Sequence, residues 1–124
     1  MNTTHFIGRW GEAVAADFLR HRGYKIIGMS YKTRFGEIDI IAENRKFLVF
    51  AEVKTRKNDN FAEAREFVDA GKQHHILSAA KLWLSLNECS KQPRFDVIEI
   101  YAPEGAETKK PKINHIENAF FSYD

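Results

Sequence analysis

The chain has 124 residues, of which 44% are hydrophobic and 29% are charged, and its formal net charge is +2. This length suits one domain, residues 1–124, and the composition excludes a disordered or fibrous chain. The sequence has neither the run of about 18 apolar residues that a membrane-spanning helix needs nor the start of a signal peptide. Its single cysteine, Cys89, excludes an internal disulfide. A cytoplasmic protein without a membrane partner is expected.

The first predicted element is an amphipathic helix over residues 5–22. Thr3 or Thr4 is its predicted cap, and Gly23 supplies the left-handed residue that ends it. Its apolar positions recur at helical spacing: Ile7, Trp10, Val14 and Phe18. Residues 24–27 are predicted to form a short edge strand.

Residues 35–43 and 46–55 are both rich in Ile, Val and Phe, and only a short polar segment separates them. Such spacing predicts an antiparallel hairpin. Residues 57–66 are polar and predicted to form a loop, with or without one helical turn.

The second half of the chain begins with a helix predicted over residues 70–88 and capped by Asp69. Its apolar positions are Ile76, Leu77, Ala80, Trp83, Leu84 and Leu86. A strand at 94–101 follows, and the strand–helix–strand order favours a parallel pair joined by a right-handed crossover. Residues 103–112 are predicted to be a mobile loop, and 113–116 a last edge strand. The predicted fold is therefore α/β, with a mixed sheet.

The hairpin carries the candidate catalytic residues. Side chains alternate along a strand, so Glu52 and Lys54 share one face. A two-residue turn would pair Asp39 with Phe50, whereas a four-residue turn would pair Asp39 with Glu52. Either register leaves the two carboxylates about 5 to 8 Å apart at Cβ. A slip of one residue would send them to opposite faces.

Two adjacent carboxylates in partly apolar surroundings resist ionising unless a positive charge lies between them. Mg²⁺ or Mn²⁺ meets that need, since such ions are held by one or two carboxylates together with a substrate phosphate. The pattern therefore indicates a metal site at Asp39 and Glu52, with Lys54 beside the phosphate or the attacking water. The competing interpretation is structural, because an exposed Glu-x-Lys pair is usually a surface ion pair worth about 0–1 kcal/mol.

Several sequence blocks resemble a known family. Gly36-Glu37-Ile38-Asp39 followed by Glu52-Val53-Lys54 is similar to the PD-(D/E)xK nuclease signature. Nearly the whole chain, from Gly8 to Ala119-Phe120, resembles the YraN family of small bacterial predicted endonucleases, which are distantly similar to archaeal Holliday-junction resolvases. Other blocks that carry this resemblance are Gly11-Glu12-x-x-Ala15, Gly23-Tyr24, Val49-Phe50-Ala51, Lys72-Gln73 and Arg94-Phe95-Asp96-Val97.

The resemblance implies a restriction-endonuclease-like, three-layer α/β domain that cleaves DNA with Mg²⁺ or Mn²⁺. It also implies that Glu12, on the first helix, completes a catalytic and metal-binding set with Asp39, Glu52 and Lys54. The alternative for Glu12 is a favourable position near the positive end of the helix dipole. The residues expected to contact nucleic acid are Arg34, Arg56, Lys57, Lys72 and Gln73.

Three functions remain open at this stage. The leading hypothesis is a DNA endonuclease that acts on structured or branched DNA through its backbone, and a symmetric homodimer would extend the reach of so small a domain. The second is a nucleic-acid-binding module of the same fold without turnover. The third is a scaffold protein in which Glu52 and Lys54 form an ordinary ion pair.

Overall fold

The predicted α/β architecture is present in the structure, a computed structural model that describes residues 3–57 and 70–120. Five strands form one mixed sheet in the order β1-β2-β3-β4-β5, and the β3–β4 pair is parallel, as predicted. In chain order the elements are α1 (Thr3–His21), β1 (Lys25–Lys32), β2 (Glu37–Glu43), β3 (Phe47–Arg56), α2 (Ala70–Leu86), β4 (Gln92–Tyr101), a 3₁₀ turn (Gly105–Glu107) and β5 (Lys112–Phe120).

Helix α1 ends at the predicted glycine. Gly23 has a φ of 89°, and the N–H groups of Gly23 and Tyr24 donate to the carbonyls of Arg20 and Leu19 at 3.1 and 3.0 Å. These are the two hydrogen bonds of a Schellman cap. Tyr24 turns into the core and is only 8% exposed, so β1 starts one residue later than predicted. It also runs further, because it pairs with β2 along its length.

The two helices cover opposite faces of the sheet. On β3, Val49 and Ala51 pack with α1, whereas Leu48 and Phe50 pack with α2, as the two-residue period of a strand requires. The fully buried helix residues are Ala15, Ala16 and Leu19 on α1 and Ile76, Ala79 and Ala80 on α2. Leu86, one of the apolar positions of the predicted helix, is 70% exposed, and it is the last residue of α2.

Several predicted segments differ from the structure or lie outside the described residues. The side chains of Thr3 and Thr4, Asp69 and the loop predicted from residue 58 onward lie outside the described residues. The segment 103–112 includes the 3₁₀ turn, and the last edge strand is longer than the predicted 113–116. Neither helix within the described ranges has the length and apolar content to cross a membrane.

A buried ionic network ties β4 to β5. Asp96 is 0% exposed; it accepts hydrogen bonds from Arg94 Nε at 2.9 Å and Nη2 at 2.8 Å and from the backbone N–H of Asn118 at 3.0 Å, and His115 Nε2 lies 2.7 Å away. Burial opposes ionisation, but the hydrogen bonds from His115 and Arg94 outweigh it, so the pKa of Asp96 is lowered. This ion pair lies within β4 and not at its end.

Asp96→Asn should destabilise the protein by about 3 kcal/mol, because it leaves the guanidinium of Arg94 buried without its counter-charge. Urea unfolding at pH 7 measures this loss. The lowered pKa means that Asp96 contributes above a pH of about 4, so the difference from wild type should shrink on acidification. Asp17→Asn, in the exposed pair with His21, is the control and should change stability by less than about 1 kcal/mol. Equal stability of Asp96→Asn and wild type would contradict the prediction.

Candidate functional site

The turn between β2 and β3 sets the register of the hairpin. Glu43 pairs with Leu48, which is the register predicted for a four-residue turn. Asn44 Oδ1 accepts hydrogen bonds from the N–H groups of Lys46 and Phe47 at 3.0 and 2.8 Å, and this side-chain turn holds the connection at that length. The two-residue alternative is therefore wrong, and the four-residue one is confirmed.

This register opposes the two carboxylates predicted to share a site. Ile40 pairs with Ala51, and the next step along the strands sets Asp39 opposite Glu52. The Oδ2 atom of Asp39 accepts the backbone N–H of Val53 at 2.8 Å. The negative charge of Glu52 also acts on Asp39 and raises its pKa.

Glu52 is 5% exposed and is neutralised by two ammonium groups. Lys54 Nζ lies 3.3 Å from its Oε1, and Lys72 Nζ contacts the same oxygen. A buried carboxylate requires such pairing, because the isolated charge would be costly to remove from water. Lys54 comes from the same strand, whereas Lys72 comes from α2, so the ion pairs join the sheet to the helix.

Two glycines let the helices approach the sheet at this point. A Cβ on Gly11 of α1 would lie 2.1 Å from Thr55 Oγ1, and a Cβ on Gly36 would lie 2.8 Å from His75 Cβ and 2.9 Å from its carbonyl oxygen. Any larger residue would force α1 away from β3, or α2 away from the β1–β2 turn. The close approach on both sides creates a narrow region between the helices where side chains of α1, α2 and the sheet meet.

Burial and charge shift the titration of these groups. The pKa of Asp39 is raised to about 8, first by burial and then by the negative charge of Glu52. The pKa of Lys54 is lowered by burial and by the neighbouring ammonium of Lys72. Burial works to lower the pKa of Lys72 as well, but the hydrogen bond to Glu52 and the negative charges of Glu52 and Asp39 together outweigh burial, and the pKa is raised. The lysines therefore do not offset the burial of Asp39 and its closeness to Glu52.

Glu12 reaches the same region from α1. Its Oε1 accepts the hydroxyl of Ser30 at 2.9 Å, and burial raises its pKa despite that hydrogen bond. Its charge adds to the raised pKa of Asp39, so the two carboxylates lie within electrostatic range. Ala15, Ala16 and Leu19, which follow Glu12 on α1, are fully buried.

The side chains enclose an open cleft of about 820 Å³. Its acidic lining residues are Glu12, Glu37, Asp39 and Glu52, and its basic ones are Arg9, Lys32, Lys54 and Lys72. In the part of the chain that the structure describes, no three His, Cys, Asp or Glu side chains converge into a ready metal cage. The apposed Asp39 and Glu52 nevertheless offer hard oxygen donors, and two carboxylates with a substrate phosphate suffice for Mg²⁺ or Mn²⁺. The donor set therefore fits such an ion.

The other predicted nucleic-acid contacts do not line the cleft. Arg34 is exposed on the β1–β2 turn, with its guanidinium 4.8 Å from the ring centre of Phe35. The Nε atom of Arg56 lies 3.9 Å from the buried Glu99 carboxylate. The other two predicted contacts are Lys57, which is exposed just after β3, and Gln73, which is half-buried on α2. Of the five residues predicted for this role, only Lys72 lies in the cleft.

Four cleft residues were missed at the sequence level. Glu37 lies two residues before Asp39, so strand alternation could have found it. Ser30 and Lys32 are on β1, whose length was underestimated. Arg9 is brought in by the docking of α1, which no sequence period reveals.

The sequence relationships agree with the family resemblance. Residues 11–100 match the model of an uncharacterised protein family, UPF0102. The chain belongs to this family. It is 45% identical over 116 residues to the UPF0102 protein TTE1452 of Caldanaerobacter subterraneus subsp. tengcongensis, covering 92% of this chain and 93% of the relative. It is 42% identical over 115 residues to a UPF0102 protein of Syntrophomonas wolfei (92% and 96% covered) and 41% identical over 120 residues to one of Geotalea daltonii (96% and 92%).

The UPF0102 match covers most of the residues that line the cleft, from Glu12 to Lys72, and starts after Arg9. It confirms the YraN-like resemblance at the level of the family. The family description names no activity, so the chemistry has to be argued from the cleft itself.

Asp39→Asn should stabilise the metal-free protein. A carboxyl with a pKa of about 8 binds more protons in the folded than in the unfolded chain, so the free energy of unfolding falls as pH rises from about 4. We expect the variant to melt several degrees above wild type at pH 8, in chelator, and the difference to vanish near pH 4. Thermal unfolding followed by circular dichroism measures both.

The matched control is Glu37→Gln, which removes an exposed carboxylate from the same strand and should shift Tm little. A Tm of Asp39→Asn at or below that of wild type at pH 8 would show that Asp39 is not strained by its neighbours.

Proposed function

We propose that this chain is a metal-dependent nuclease that hydrolyses DNA phosphodiesters, with a restriction-endonuclease-like, three-layer α/β fold. In this proposal Mg²⁺ or Mn²⁺ is held by Asp39 and Glu52, with Glu12 as a third acidic group. The observation that carries the proposal is the apposition of Asp39 and Glu52 across β2 and β3, beside two lysines in a cleft.

The electrostatics of the pair support a cation there. Asp39 has a pKa of about 8, so near neutral pH it ionises fully only when positive charge comes close. Its own hydrogen bond is to the neutral N–H of Val53, whereas the ammonium groups of Lys54 and Lys72 both contact Glu52. A divalent cation between the carboxylates would supply the missing charge.

The chain's own residues divide the remaining work. When bound, the cation supplies Lewis acidity to the phosphate and to the attacking water. Lys54, on the same face of β3 as Glu52, donates to a phosphate oxygen and offsets the negative charge that grows in the transition state. Lys72 holds the Glu52 carboxylate in place from α2. Glu12, on the α1 side of the cleft, helps to bind the cation or orients the attacking water.

Recognition of the substrate would rest on its backbone. Arg9 and Lys32 also line the cleft and are suited to binding phosphates. The remaining cations Arg34, Arg56 and Lys57, together with Gln73, extend this surface outside the cleft. No recognition helix enters a groove in this scheme, which favours structured or branched DNA over a base sequence, as for a Holliday-junction resolvase. A homodimer would place two clefts on two strands, and the proposed compartment is the cytoplasm.

The test compares carboxylates of one hairpin. Glu52→Gln should reduce cleavage of a labelled four-way junction and of duplex DNA in Mn²⁺ by about 100-fold or more, because it removes a group that acts at the reacting phosphate. Lys54→Met should cause a similar loss. Both variants should keep a cooperative thermal transition and salt-dependent DNA binding.

Glu43→Gln is the matched control, since Glu43 lies on the same hairpin but pairs with Lys91 at 2.9 Å, away from the cleft. It should cleave like wild type. Cleavage by Glu52→Gln at the wild-type rate, in protein purified free of contaminating nuclease, would disprove the proposed activity.

One observation favours the second candidate, a nucleic-acid-binding module without turnover. Lys54 and Lys72 already neutralise Glu52, so this half of the carboxylate pair is satisfied without a metal. Calorimetric titration with Mn²⁺ separates the two functions. The nuclease should bind Mn²⁺ and lose that binding in Asp39→Asn, whereas a module should bind DNA with no uptake of Mn²⁺.

A further inference from the structure

Strand β1 contains a serine in a backbone conformation that serine rarely adopts. Ser30 has a φ of 51°, and Asn118 is the other residue besides glycine with a positive φ in residues 3–57 and 70–120. Asparagine tolerates the left-handed region, but serine bears the steric penalty of a Cβ with less compensation. Such strain persists where surrounding contacts enforce it, and it concentrates at functional sites.

Neither a turn nor the nearby bulge accounts for this conformation. Ser30 lies inside β1 (Lys25–Lys32), and its neighbours Met29 and Tyr31 keep regular pairing with β2. The register shift of β1 falls earlier, between Ile26 and Gly28. The strain is therefore confined to one residue with regular partners on either side.

The position of Ser30 in the sheet links its strained backbone to the carboxylates of the cleft. The pairing of its neighbours sets Ser30 across from Asp39, and Asp39 in turn faces Glu52, so the three residues form one row across the sheet. The Ser30 hydroxyl donates to Glu12 Oε1 at 2.9 Å and lies in the same cleft. One contact thus joins the end of this row to α1.

We propose that Ser30 is a positioning residue whose left-handed conformation turns its hydroxyl towards Glu12 and holds that carboxylate beside the Asp39–Glu52 pair. This inference rests on the metal site of the proposed function. Ser30 itself contacts no cation or substrate in this scheme. Without its hydrogen bond, Glu12 is free to rotate about its side-chain torsions, and ordering it on metal binding would then cost conformational entropy.

Three substitutions separate the hydroxyl from the backbone. Ser30→Ala removes the hydroxyl and keeps the strain, Ser30→Gly removes both, and Ser30→Asn supplies an amide donor in a residue suited to positive φ. The readouts are the dissociation constant for Mn²⁺ by calorimetry and the Tm of the metal-free protein. Ser85→Ala is the matched control, because Ser85 is an exposed serine on α2 that bonds its own helix.

We expect Ser30→Ala and Ser30→Gly to weaken Mn²⁺ binding about tenfold, the lower end of the effect of removing a group that orients a metal ligand. Glu12→Gln should weaken it at least as much, and adding Ser30→Ala to Glu12→Gln should cause little further loss, because the two residues act through one contact. Ser30→Gly should melt a few degrees above Ser30→Ala, since glycine adopts this φ without strain. Ser30→Asn should recover most of the affinity, and Ser85→Ala should match wild type in both readouts.

Wild-type Mn²⁺ affinity in Ser30→Ala and Ser30→Gly, with a loss in Glu12→Gln, would overturn the inference and leave the nuclease proposal intact. Mn²⁺ binding that follows the expected pattern in a protein that cleaves no DNA would support the inference and refute the nuclease. No Mn²⁺ binding by the wild-type protein would overturn both the inference and the proposed metal site.

Discussion

The repulsion between two carboxylates held together in a partly buried place is the constraint on which the cleft depends. Asp39 and Glu52 face each other across β2 and β3, and the high pKa of Asp39, about 8, records the cost of that arrangement. A protein selected for stability alone would separate these charges or replace one of them, since a poorly compensated charge pair destabilises the folded state. Retained strain of this kind is typical of a site where stability has been traded for function.

The rest of the fold keeps these carboxylates from moving apart. Apolar clusters on both faces of the sheet hold α1 and α2 in place, and the glycines at positions 11 and 36 let them come close at the cleft. Lys72 then reaches Glu52 from α2, and Glu12 reaches the cleft from α1. Because the sheet is packed on both sides, the carboxylates cannot relax by a small backbone shift.

The sequence predicted the site best where the alternation of side chains along a single strand fixes which residues share a face. Alternation on β3 put Glu52 and Lys54 on one face, and the structure has them in contact. The register with Asp39 stayed open because it depends on the turn, and the Asn44 side chain that settles the turn is a local hydrogen-bonding detail. The apolar period of α2 also includes the exposed Leu86, because a helical period says nothing about where the sheet beneath the helix ends.

Contacts that depend on tertiary packing could not be predicted from such sequence patterns. Lys72 was expected only as a nucleic-acid contact, because its distance from Glu52 depends on how α2 docks on the sheet. Ser30 gave no signal, since its role arises from one backbone torsion angle. Asp39, Glu52 and Lys54 thus follow from strand periods and Glu12 from the family resemblance, whereas Arg9 and Ser30 depend on helix docking or local strain.

The charge balance of the cleft links metal and substrate. Among the described lining residues the acidic and basic side chains are equal in number, so the formal charge is close to neutral and a polyanion gains little on entering. Under the proposed function, a divalent cation at Asp39 and Glu52 makes the cleft positive. Binding linkage is reciprocal, so a metal that strengthens DNA binding must itself be bound more tightly when DNA is present. Tight binding of the DNA backbone would then occur only in the metal-loaded protein, which is the only state able to hydrolyse DNA.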